Sequence, residues 1–293
     1  MSDEPVAAAT ADRSGQASQA CDVPQADAPR RFGGVTRLYG DDALPRLAAA
    51  HVCVVGVGGV GSWAAEALAR SGVGRLTLVD LDHVAESNLN RQVHALDSTL
   101  GASKVETMRA RIADIWPVCR VQVIEDFVTA DNVEALLPRD ALVVDAIDAP
   151  RAKAAMIACA RRRGQPIVVC GGAGGRTDPL RLRRDDLART RGDALLSAVR
   201  ARLRREHGFP REPGKRFGID AVYSDEPLAR APDPAACARE SLGGAPLGCA
   251  GYGSVVTVTA AMGLAAASWA IARLLGTSAA GSRKPARKNG AVQ

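Results

Sequence analysis

Apolar runs and amphipathic stretches alternate through the middle of the chain. His51 to Val55 is apolar, Trp63 to Arg70 has helical character, and Leu76 to Val79 is apolar again and ends at Asp80. Gly101 to Lys104 opens a helix. In it Val105, Met108, Ile112 and Ile115 recur with a period of about 3.6, which makes Met108 a core residue. Cys119 to Glu125 predicts a third strand, Asp131 to Leu137 a short helix and Ala141 to Ile147 a fourth strand. Pro150 starts a helix that runs to Arg163, since proline suits a first helical turn, and Pro166 to Cys170 is a fifth strand. Apolar strands alternating with helices predict an α/β fold. The expected form is a doubly wound, Rossmann-like, mostly parallel sheet with helices on both faces and a C-terminal extension.

On this pattern the alternation stops after Gly175. Asp193 to His207 is a further helix, with Leu195, Leu196, Val199 and Leu203 on its apolar side, and residues 226–248 form an irregular crossover loop. Val255 to Ala272 carries no charge. Its length reaches the lower limit for a membrane span, but Ala, Thr, Ser and Gly make it only weakly hydrophobic. The expectation is a buried helix, with membrane association the less favoured alternative. Residues 1–30 lack periodicity and are expected to be a disordered tail; 277–293 form a second, basic tail. Arg31 to Tyr39 reads as a loop ahead of a helical segment that ends near Ala50. The working domain is therefore 31–276, with a basic insertion at 176–216.

The chemistry concentrates between the first strand and the helix at Lys104. Gly56, Gly58, Gly59 and Gly61 form a G-V-G-G-V-G turn between a strand and a helix, and Asp80 ends the next strand. Such a unit binds a nucleotide: the glycines admit phosphates to the backbone, the helix N-terminus carries partial positive charge, and the acid accepts from ribose hydroxyls. Asp82, then Ser87-Asn88-Leu89-Asn90-Arg91-Gln92, then Lys104 depart from the dinucleotide pattern. Two cations beyond the ribose acid favour a nucleoside triphosphate over NAD. Lys104 sits in a first helical turn, the wrong end for the helix dipole, which points to an anion there. Asp148 reads either as a Mg²⁺ ligand or as the N-cap of the helix at Pro150. Gly56, Asp80, Asp148 and the Gly171–Gly175 run all fall at strand ends and should converge on one crevice.

Composition and charge refine this picture. Apolar residues make up 47% but aromatics only 3%, so Val, Ala and Leu must build the core. The net charge of +6 is unevenly spread. From Arg176 to Arg216 there are 12 Arg and one Lys against six acids. That segment reads as a nucleic-acid-facing surface or as a solvated helix. The seven cysteines, at 21, 53, 119, 159, 170, 237 and 249, form no C-x-x-C pair, which argues against a structural zinc site or a disulfide framework. Cys249, in a Gly-rich turn, reads as a buried thiol or as a nucleophile. The four histidines have no metal-ligand spacing; His51 is expected to be structural, His83 and His94 on the surface. Without a secretory signal the expected location is cytoplasmic.

G-V-G-G-V-G, D-L-D-H-V-A-E-S-N-L-N-R-Q, Lys104 and D-A-I-D together resemble the ubiquitin-activating-enzyme-like adenylating family. R-F-G-G-V-T-R-L-Y-G, N-R-Q-V-H-A-L, G-G-A-G-G and the basic segment resemble its tRNA threonylcarbamoyladenosine dehydratase branch. The resemblance implies ATP and Mg²⁺ as cofactors, a homodimer, and a tRNA substrate whose threonylcarbamoyl carboxylate is adenylated and then cyclised with net loss of water. It also leaves room for a sulfur-transfer partner. It implies that Gly56, Gly58, Gly59, Gly61, Asp80, Asp82, Ser87, Asn88, Asn90, Arg91, Gln92, Lys104 and Asp148 hold the nucleotide. Arg91, Lys104 and Asp148 are then catalytic and Asp148 the metal ligand. The sulfur-carrier-activating relatives have two C-x-x-C pairs absent here. The partner-subunit arginine of those relatives falls near Gly34, leaving Arg31 or Arg37 as a substitute. The alternative function is adenylation of the C-terminal glycine of a ubiquitin-like or sulfur-carrier protein; an NAD-dependent oxidoreductase and a silent nucleotide-binding adaptor are further rivals.

Overall fold

A computed structural model of the chain describes residues 27–228 and 253–277. The N-terminal tail up to residue 26, most of the 226–248 loop, Cys249 and nearly all of the basic C-terminal tail lie outside the described residues.

Seven strands form one sheet in the order β3-β2-β1-β4-β5-β7-β6. They are β1 (His51–Val55), β2 (Arg75–Val79), β3 (Arg120–Ile124), β4 (Leu142–Asp145), β5 (Ile167–Cys170), β6 (Leu182–Asp186) and β7 (Asp220–Ser224). All neighbours pair in parallel except β6, which runs antiparallel to β7 from Leu182↔Ser224 to Asp186↔Asp220. The strand order reverses direction at β1 and β4, and the carboxyl ends of these strands are where such sheets place their ligands.

Period-two alternation sorts each central strand between two cores. Val52 and Val54 of β1 join Leu76, Leu78 and Val144 on one face; Cys53 and Val55 join Val143, Ile167 and Val169 on the other. The first face is covered by α2 (Ala43–Ala49), α3 (Gly61–Arg70), α4 (Lys104–Ile115) and α8 (Val256–Leu274). The second is covered by α5 (Val133–Leu136), α6 (Pro150–Arg162) and α7 (Ala194–Glu206). Burial on both faces explains why the strands read as continuous apolar runs. Met108 lies fully in the core.

Three expectations need correction. Arg31 to Tyr39 is not a loop: α1 (Ala28–Tyr39) includes it, capped by Asp27, which accepts from the Arg30 N–H at 3.0 Å, and kinked at Phe32. Phe32 packs edge-on against Trp116 at 4.8 Å between ring centroids. Two glycines hid this helix by lowering its apparent propensity. The alternation also does not end after Gly175. The basic stretch supplies β6, whose R-R-D-D sequence is polar because it is an edge strand with partly exposed side chains. The third concerns His94, which is buried rather than on the surface, while His83 is exposed. Burial pushes the His94 imidazole down to about 4. His51 is structural as expected, between Asp140 at 3.1 Å and Thr77 at 2.8 Å.

The uncharged C-terminal stretch is α8. It is long and apolar enough, by length and composition, to cross a membrane, yet half of that window is buried against the sheet and α3.

Candidate active site

The glycine turn is fixed by sterics. Gly56 has φ of +85°, and a Cβ there would come within 3.0 Å of the Ala146 backbone. A Cβ on Gly61 would lie 1.7 Å from the Gly56 carbonyl oxygen, so only glycine lets α3 start this close to β1. An added Cβ on Gly58 would meet no protein atom within 4 Å. At Gly59 the Arg91 methylenes and Thr259 approach to 3.3 Å, so Arg91 lies across the turn.

Asp80 braces the same turn. One carboxylate oxygen accepts from Val57 N–H at 2.6 Å, the other from Asp82 N–H at 2.9 Å. Burial raises its pKa, and the nearby Lys104 ammonium opposes that rise. Asp80 is thus both a buttress and the acid at the tip of β2. Lys104 is buried at 6% exposure in the first turn of α4, with Nζ 2.7 Å from the Asp82 carboxylate. The stem is fixed by packing, and the head is held by an acid whose side chain is half exposed.

The 87–92 segment is a 3-10 turn and its continuation. Asn88 spends its side-chain oxygen on Ala85 N–H at 3.1 Å, so it shapes the turn. Arg91 donates to Ser87 O at 2.6 Å and to the Asn90 side chain at 2.9 Å; Trp63 donates to Arg91 O at 3.0 Å. Asn90 in turn donates to Ser254 O at 2.9 Å, and Gly175 N–H donates to Gly253 O at 2.8 Å. The segment before α8 therefore ties the Arg91 loop to the glycine run after β5. Gln92 is buried with its side-chain oxygen unpaired.

Asp148 lies half-buried three residues beyond the end of β4, after Ala146 and Ile147, which approach Gly56. It is not the N-cap of α6: that position is Ala149, without a side-chain bond. Its carboxylate makes no hydrogen bond or ion pair among the described residues. A carboxylate with no partner among the described residues, just beyond a strand that flanks the glycine turn, fits a Mg²⁺ ligand, since Mg²⁺ takes one or two carboxylates plus phosphate oxygens.

Arg31 lies elsewhere within its own chain. It donates to Ile115 O at 2.6 Å, at the opposite end of α4 from Lys104. Arg37 is exposed on α1.

Two groups escaped sequence reading. Asp145 and Lys153 form a fully buried ion pair at 2.7 Å, directly behind the loop that carries Asp148. Asp145 also accepts from Ile147 N–H at 3.3 Å, which fixes the backbone of that loop. Burial raises the Asp145 pKa and Lys153 opposes the rise. The signal was present: one lysine inside the otherwise apolar A-K-A-A-M-I-A-C-A run, five residues after Asp148. The second is Trp63, whose tether to Arg91 leaves no trace in spacing. No group of three or more His, Cys, Asp or Glu side chains that could hold a metal ion occurs among the described residues. Burial pushes the Cys53 and Cys170 thiols up to about 12, which removes them as nucleophiles.

The chain is similar over most of its length to known proteins. The chain is 46% identical over 255 residues to the tRNA threonylcarbamoyladenosine dehydratase of Escherichia coli, covering 85% of this chain and 95% of that protein. It is 44% identical over 248 residues to the Haemophilus influenzae protein of the same name, covering 84% and 94%. The crystal structure of the E. coli dehydratase in complex with ATP superposes with a TM-score of 0.76 at 44% identity, covering 86% of this chain and 96% of that one. A profile described as the ThiF family matches residues 34–289, and the chain belongs to that family.

Proposed function

We propose that this chain is an ATP-dependent tRNA threonylcarbamoyladenosine dehydratase. The observation that carries the reading is a steric glycine turn with Arg91 across it, a buried Lys104, and an Asp148 without a partner among the described residues, in a chain similar over most of its length to dehydratases, one of them solved with ATP.

ATP lies with its phosphates over Gly56–Gly61 and its ribose toward Asp80. Asp148 would hold Mg²⁺, which would supply positive charge to offset that of the phosphates. A carboxylate oxygen of the threonylcarbamoyl group attacks the α-phosphorus; the bond to the β-phosphate breaks and pyrophosphate leaves. Lys104 exchanges its Asp82 partner for phosphate oxygens, and Arg91 faces the same charge from across the turn. An atom of the same substituent then attacks the activated carbonyl, closes a ring and expels AMP. The elements of one water leave the nucleoside and appear in AMP and pyrophosphate. Because this attack is intramolecular, positioning replaces a protein nucleophile. The Arg176–Arg216 surface attracts the tRNA. A homodimer, a sulfur-transfer partner and a cytoplasmic location belong to the same proposal, on the family resemblance.

The test incubates the protein with ATP, Mg²⁺ and threonylcarbamoyladenosine-containing tRNA and weighs the nucleoside. Loss of one water that disappears in Lys104→Ala is expected. An unchanged nucleoside, with ATP consumed only when a small carrier protein is supplied, would overturn the reading in favour of carrier activation.

A further inference from the structure

We propose that a basic groove at the end of the sheet remote from the crevice is a second tRNA contact, which takes the sugar-phosphate backbone away from the reacting nucleotide. This rests on the reading of tRNA as the substrate and assigns to it a surface the crevice does not include.

The basic segment folds into two separate places. At the crevice end, Arg181 and Arg183 share Asp225 at 2.7 and 2.9 Å. α7 starts there too: its N-cap Asp193 accepts from Gly172 N–H at 2.9 Å, just past β5. Its 13 residues then carry the chain away along the second face, roughly 20 Å at the α-helical rise. At the far end Arg204, Arg205, Arg211 and Lys215 meet Arg161 from the last turn of α6, around a groove of about 610 Å³.

Two features make this a built surface rather than a scatter of solvated charges. Arg161 stacks over the Phe209 ring at 4.3 Å and Arg204 over Phe217 at 5.2 Å, and both rings are buried. These guanidiniums are held before any ligand arrives. The charge is also unbalanced: five cations line the groove against Glu206 and Glu212. Glu206 is bonded to Arg202 and Arg205, and Glu212 reaches Lys215 only at 4.0 Å. On the opposite face the arginines around α4 are mostly paired, Arg109 with Glu106 and both Arg70 and Arg111 with Glu66. Gathered like charges repel unless an anion joins them. A nucleotide confined to the crevice cannot span the length of α7. A polyanion docked in the crevice by one nucleotide can, and its phosphates need no particular base sequence.

The test compares wild type with Arg205→Glu/Arg211→Glu/Lys215→Glu, which leaves the stacked arginines in place. Turnover is measured against tRNA and ATP, and binding of labelled tRNA is measured across a salt series. The expected result is a tenfold or larger rise in KM for tRNA with kcat and KM for ATP unchanged. The slope of log K against log salt should flatten by about 2, from three lost phosphate contacts. Arg205→Lys/Arg211→Lys/Lys215→Arg should restore binding. Unchanged tRNA binding, or a fall in kcat and a rise in KM for ATP alongside it, would overturn the groove. A wild type that binds tRNA through the groove but dehydrates none would instead overturn the proposed activity and leave the groove standing.

Discussion

The two halves of the sheet handle charge in opposite ways. In the half built from β1 to β4 the buried charges are matched. Lys104 faces Asp82, Lys153 faces Asp145, and Glu66 lies between Arg70 and Arg111. In the half built from β5 to β7, arginines outnumber acids and most sit in solvent. A small triphosphate is recognised by a few charges fixed in place before it arrives, as Asp82 fixes Lys104. A nucleic acid is recognised by a field spread over tens of ångströms, which requires a surplus. The first half should therefore respond to mutation in stability or kcat, the second in affinity and salt dependence.

The largest effect should come from breaking the buried pair. Lys153→Met strands Asp145 in the core and should cost about 3–5 kcal/mol in denaturant unfolding. The double variant Asp145→Asn/Lys153→Met should recover much of that loss, since it leaves no uncompensated charge. Equal instability in the two variants would show that volume, not charge, matters there.

Next is Lys104→Ala. It should lower kcat for AMP production by about 100- to 1000-fold, the range for removing one preorganised charge-stabilising group. Binding of labelled tRNA should stay within twofold. A parallel loss of tRNA binding would merge the two halves and break the comparison.

Acid should act on the first half as well. The His94 imidazole titrates at about 4 in the folded chain against 6.5 ordinarily. The unfolded chain takes up that proton first, so stability falls as pH drops from about 6.5 to about 4 and is flat below. One such group contributes at most about 3 kcal/mol. His94→Leu should reduce the slope of unfolding free energy against pH in that window and leave the part due to His51, whose imidazole burial also pushes down to about 4.

The smallest effect lies outside both halves. Asp27→Ala removes the N-cap of α1 and should lower stability by about 0.5–1 kcal/mol, with kcat and tRNA binding unchanged.

How much was readable depended on locality. The glycine turn and Asp80 follow from spacing because strand, turn and helix are contiguous and their geometry is nearly fixed by chain sterics. Apolar continuity gave β1, β2, β4 and β5 to within a residue or two, because both faces of those strands are buried. β6 escaped because an edge strand has no such continuity. The burial of His94 is not legible in its own stretch because the α4 residues near it, Lys104 and Arg111, are ten or more residues away in the chain. Arg161 drew no notice since its groove partners lie more than forty residues downstream.

By itself, then, the order of residues determined the nucleotide unit, the sheet's layering and the excess of positive charge, all of which are local pattern or simple composition. Only the tertiary structure decided that Asp148 has no partner among the described residues, that Lys153 is buried beside Asp145, and that the positive charge divides between the β6 edge and a distal groove. Those facts depend on which segments the sheet order brings side by side, and a linear pattern carries no record of distances across strands that are remote in the chain.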